Sequence, residues 1–119
     1  MRLSQFESDV LHAIVRDRFG ESSKLMAQID ALSLERKEMT GVGMYLYFQL
    51  TDEDKKVPEV QDEIISSRVG ASLPQLHNDI GFVLYIEKGV IKMLECYTVD
   101  EPWPTDISTY NLVTYQIPS

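Results

Sequence analysis

Cysteine is almost missing from this chain. Cys96 stands alone, so an internal disulfide is excluded. Histidine is scarce too, with His12 and His77 the only two, and with Cys96 they give no zinc spacing. Asp52-Glu53-Asp54 lacks the glycine and the distal glutamate of a calcium loop. Gly41-Val42-Gly43 precedes a strand instead of joining strand to helix, so no phosphate-cradling loop is present. We therefore expect neither metal nor cofactor. No apolar run is long enough to cross a bilayer, and Met1-Arg2-Leu3-Ser4 leads into a charged stretch unlike a secretory signal. The expectation is a cytoplasmic protein without membrane association. Basic charge is also short: 11 Lys and Arg face 19 Asp and Glu, a formal charge of −8. Phosphate backbones would be repelled, which argues against nucleic acid as a partner. A basic protein partner is the mirror image, and solubility alone is the plainer consequence.

The 119 residues, 44% hydrophobic, suit one domain over 1–119. Ser4-Gln5-Phe6-Glu7 has the form of a capping box, followed by Phe6, Val10, Leu11, Ile14 and Val15 at helical spacing. Gly20 stops this helix. Ser22 or Ser23 then caps a second, carrying Leu25, Met26, Ile29 and Leu32. After Thr40 the period changes to two: Val42, Met44, Leu46, Phe48 and Leu50 alternate with Gly43, Tyr45, Tyr47 and Gln49, the mark of a strand. An acidic connection follows over 51–63, then a strand over 64–71. A hairpin spans 81–99 with its turn at Lys88-Gly89, and a last strand spans 107–117 after the stiff Pro102-Trp103-Pro104. Helices first and strands after, without alternation, predict an α+β fold. In it two N-terminal helices pack on one face of an antiparallel sheet of four or five strands.

The two faces of that sheet carry the functional expectation. A plain two-residue turn sets Ile86 opposite Ile91, Leu84 opposite Met93 and Phe82 opposite Glu95. Helices would then cover Val42, Met44, Leu46, Leu84, Ile86 and Met93. The rear would show Tyr45, Tyr47, Val83, Tyr85, Val90, Leu94 and Cys96, unusually apolar for a wetted face. Tyrosine offers broad contact area at small entropic cost. Either the C-terminal strand and the Trp103 loop cover this face, or it serves a homodimer or a partner. In this register Glu95 lies on an apolar face, where it would pair with an arginine such as Arg68 or sit at the sheet end. Tyr45, Tyr47, Tyr85, Glu95 and Trp103 are the candidate interface residues.

Catalytic candidates are few. Ser72, His77 and Asp79 supply triad residue types within one loop but lack a nucleophile elbow, and turn chemistry accounts for them. Cys96 is mid-strand without a histidine nearby in sequence and reads as a small hydrophobe. We assign no catalytic residue.

Gly81-Phe82-Val83-Leu84-Tyr85, Gly89, Leu94-Glu95-Cys96-Tyr97, Glu101-Pro102-Trp103-Pro104 and Thr40-Gly41-Val42-Gly43 together resemble a group of small bacterial proteins of uncharacterised function. That resemblance implies a fold and no chemistry. Size, acidity and architecture are also similar to those of bacterial toxin-immunity proteins, which act by plugging a partner. The expectation is a non-enzymatic protein-binding domain, a homodimer or the ligand of a basic protein, with an immunity or antitoxin role as one form. The alternative is a small-ligand-binding protein or small enzyme. Its pocket would lie between helices and sheet or at a dimer seam, where Glu95, His77 or Cys96 would converge.

Overall fold

The computed structural model describes residues 1–116. Helix α1 spans Gln5–Phe19 and α2 spans Lys24–Ile29. Seven strands follow: β1 Leu32–Met39, β2 Gly43–Leu50, β3 Glu63–Ser66, β4 Val69–Ser72, β5 Gly81–Glu87, β6 Val90–Tyr97 and β7 Asn111–Thr114. Five make one antiparallel sheet in the order β1-β2-β6-β5-β3, and β4 and β7 pair in a second, two-stranded sheet. The α+β arrangement read from the sequence is the one observed.

Local chemistry explains the start. Ser4 Oγ accepts from the Glu7 amide at 3.1 Å while Glu7 Oε1 accepts from the Ser4 amide at 2.8 Å, completing the capping box. Gly20 closes α1 with φ of 98° and its N–H on the Arg16 carbonyl. The apolar stripe Phe6, Val10, Leu11, Ile14 and Val15 is buried against the sheet, joined by Leu25 and Ile29 of α2.

Four expectations need correction. Leu32 does not belong to the second helix; it opens β1, in which Leu34 is also buried before Arg36, Lys37 and Glu38 make the strand look like a solvated helix face. Val42 lies outside β2 and is exposed. The strand expected over 64–71 is two strands in different sheets, parted at Ser67-Arg68, where Arg68 turns away to pair with Asp17. The last strand is shorter than expected and pairs with β4; Ile117, its expected end, lies outside the described residues.

A fifth correction concerns register. Ile86 does face Ile91, but the ladder then slips by one, so that Tyr85 faces Met93, Leu84 faces Leu94, Val83 faces Glu95 and Phe82 faces Cys96. Lys92 is the extra residue of a bulge, and a one-residue slip reverses every side chain beyond it. Leu94 and Cys96 therefore enter the core, whereas Met93 and Glu95 turn to the other face. Gln28, fully buried in α2, holds this place. Its Oε1 accepts from the Ile91 amide at 2.8 Å, and its Nε2 donates to the carbonyls of Gly89 at 2.9 Å and Lys55 at 3.0 Å. Beside it Gly89 has φ of 74°, and a Cβ there would come 2.4 Å from the Val57 carbonyl oxygen.

Gln28→Leu would keep the volume but leave the Ile91 amide and the Lys55 carbonyl without that partner. We expect a loss of about 3 kcal/mol in urea unfolding; a loss below about 1 kcal/mol would show that the amide is not what holds the bulge.

Candidate functional site

Because residues facing each other across a ladder share a side, the register defines the face away from the helices. One row runs Arg36, Tyr47, Met93, Tyr85 and Ile64; the next runs Glu38, Tyr45, Glu95, Val83 and Ser66. A third joins Gly43, Tyr97 and Gly81. Both glycines matter here: a Cβ on Gly81 would sit 2.3 Å from the Tyr97 ring, and one on Gly43 would sit 2.1 Å from the Cys96 carbonyl oxygen. Gly81 thus leaves room for the Tyr97 ring, and Gly43 for the close approach of the β6 backbone.

The helices, the core and Trp103 all lie on the opposite side. Trp103 is packed against the core beside Phe6 and Met44, and its backbone amide donates to the Gly41 carbonyl at 3.0 Å. Strand β7 is committed to β4. Cover of the tyrosine face by the Trp103 loop or by β7 is therefore ruled out. Tyr45, Tyr47, Tyr85 and Glu95 come together on one surface, and Trp103 is not part of it. Sequence spacing missed Met93 and Ile64 for this face, the first through the bulge and the second because β3 was not resolved from β4. Ile64 is 68% exposed, so the patch continues to the sheet edge.

Charge on the face is distributed unevenly. Arg36 is engaged twice, donating to Glu38 at 3.0 Å and stacking 3.7 Å from the centre of the Tyr47 ring. Tyr45 and Tyr47 lie 6.5 Å apart, tilted. Glu95, at the centre, is half-buried and has no basic partner among the described residues; it accepts only from the Tyr85 hydroxyl, at 3.4 Å. Arg68, the arginine expected for it, is taken by Asp17. Burial, and after it the Glu95 charge, push the Tyr85 hydroxyl above its ordinary range. The site is therefore a carboxylate set among tyrosine rings, Met93 and Val83, with capacity for a cationic donor.

Among the described residues the other candidates form no catalytic constellation. The Asp79 carboxylate accepts from the Tyr115 hydroxyl, and the His77 backbone N–H donates to Glu101 in an exposed loop. Cys96 is buried in the core, where desolvation and then Glu7 push its thiol strongly upward, away from nucleophilic use. His12 Nδ1 is held by the Ser8 carbonyl at 2.7 Å. Cys96, His77 and Glu95 therefore occupy the core, a loop and the open face respectively and do not converge.

The link between Tyr85 and Glu95 is directly testable. In Glu95→Gln the Tyr85 hydroxyl should titrate at lower pH than in the wild type, while remaining above its free value because its burial persists; NMR of the ring carbons reads both. An unchanged titration would contradict the contact. Comparison with family models, with curated proteins and with solved structures gives no match for this chain.

Proposed function

We propose that the chain is a non-enzymatic protein-binding domain whose tyrosine face receives a basic segment of another protein, with an arginine or lysine of that segment placed on Glu95. The observation that carries this reading is a half-buried carboxylate, without a basic partner among the described residues, at the centre of an aromatic surface. A hydrophobic residue at this position would serve the fold equally well, and the carboxylate keeps acceptor capacity that the described residues do not use. A cation from outside would use that capacity. It would meet the tyrosine rings as well as the charge, and the rings themselves supply the apolar area on which most contact energy rests. The net charge of −8 adds long-range steering toward a basic partner.

The homodimer is the competing occupant. Face-to-face pairing would bring two chains of −8 together and supply no cation for either Glu95, so a basic heterologous partner is favoured. An immunity-type role, with this chain plugging a basic toxin, is one instance.

The test uses wild type, Glu95→Arg and Tyr85→Ala as baits against extract of the native cell at low and high salt, with light scattering on each. Because Glu95 packs on an open face, its replacement should alter stability by no more than about 0.5 kcal/mol. We expect a basic protein that is retained by wild type, released by salt and weakened roughly tenfold or more by Glu95→Arg. Identical captures by wild type and Glu95→Arg, or a wild-type dimer dissociated by Tyr85→Ala, would overturn the proposal.

A further inference from the structure

On the side of the sheet away from the tyrosine face, a cavity of about 500 Å³ opens between the start of α1, the end of β1, the β1–β2 turn and the loop after β6. Its size falls in the range of small-molecule sites. Phe6, Met39, Met44, Trp103 and Ile107 supply apolar walls. The wall bearing Trp103 is stiff, because prolines precede and follow the residue and its backbone amide donates to the Gly41 carbonyl.

Two charged groups meet in this cavity. Glu7 is the capping glutamate, yet its side chain is only 4% exposed, far less than the helix cap requires. One oxygen, Oε1, is used by the Ser4 amide. The other, Oε2, receives no hydrogen bond among the described residues and faces Lys37 Nζ at 3.6 Å, too long for a hydrogen bond. Among those residues no fully buried side-chain oxygen lacks a hydrogen bond, so Oε2 opens onto the cavity. Lys37 is 43% exposed, and its long stem can swing.

A ligand entering here must leave both charges compensated. An amine alone would dock on Glu7 but displace Lys37 without a counter-charge, and an acid alone could not approach Glu7. A zwitterion satisfies both: its ammonium takes the place of Nζ on Glu7 Oε2, and Lys37 swings to its carboxylate. We infer that the cavity lined by Trp103, Glu7 and Lys37 is a binding site for a free α-amino acid with an apolar or aromatic side chain. The side chain packs on Phe6, Met44 and Trp103, and the two ion pairs give the orientation. This site is independent of the protein-binding face, and neither requires the other.

Trp103 is the single tryptophan, so its fluorescence reports the cavity directly. L-phenylalanine and L-leucine should change it saturably. 2-Phenylethylamine, lacking the carboxylate, and 3-phenylpropionate, lacking the amine, should bind about tenfold more weakly or worse. Glu7→Gln keeps a capping side chain and should weaken phenylalanine by about tenfold; Lys37→Met should weaken phenylalanine similarly, whereas 2-phenylethylamine, which no longer has to displace Nζ from Glu7, should bind more tightly than to wild type. Absence of saturation by about 10 mM amino acid, a range already weaker than millimolar affinity, overturns the site. So does equal binding of the three phenyl compounds, or wild-type phenylalanine affinity in Lys37→Met, a variant that leaves the cap untouched.

Discussion

One extra residue in β6 sets the character of both sides of the sheet. Without the bulge at Lys92, Glu95 would point into the core opposite Phe82, and Leu94 and Cys96 would face outward. With it, Leu94 and Cys96 join Leu46 and Leu84 in the core, and the carboxylate moves out among the tyrosines. Bulges leave a ladder amide unpaired, and here Gln28 supplies the missing acceptor from a helix. The same side chain gathers the Gly89 and Lys55 carbonyls, so α2, the hairpin turn and the acidic connection are tied at one buried point. Placement of the candidate interface thus depends on a polar contact far from its centre.

Charge pairing separates what the fold uses from what it leaves available. Asp17 holds Arg68, Glu63 holds Arg18, and Arg36 is shared by Glu38 and the Tyr47 ring. These contacts join elements or cover edges, and as surface pairs each contributes little. Glu95, half-buried, and Glu7, buried, differ, because among the described residues neither has a basic partner within hydrogen-bond range. They lie on opposite sides of the sheet. Withdrawn carboxylates with unused acceptor capacity are where an acidic protein can gain most from a cationic group brought from outside.

Much of the architecture was legible from periodicity. The capping box, the Gly20 stop, the alternation from Met44 to Leu50 and the Lys88-Gly89 turn each follow from local chemistry and appear as expected. Strand β1 was not legible, because Arg36, Lys37 and Glu38 on an edge strand are indistinguishable from the polar side of a helix. The bulge was not legible either: nothing local to Ile91-Lys92-Met93 announces it, and its support comes from Gln28, more than sixty positions away. For the site, Tyr45, Tyr47 and Tyr85 could be grouped from alternation alone. Glu95 was named for the wrong face, and Trp103, whose aromatic character suggested the interface, is used by the core and the cavity.

The most direct measurement is thiol accessibility on the two sides of β6. In native wild type, Cys96 should resist a bulky thiol reagent until the chain unfolds, whereas in a Cys96→Ala background the thiol introduced by Glu95→Cys should react at once. A reactive Cys96 together with a protected thiol at position 95 would contradict the bulged register, and with it the placement of the carboxylate among the tyrosines.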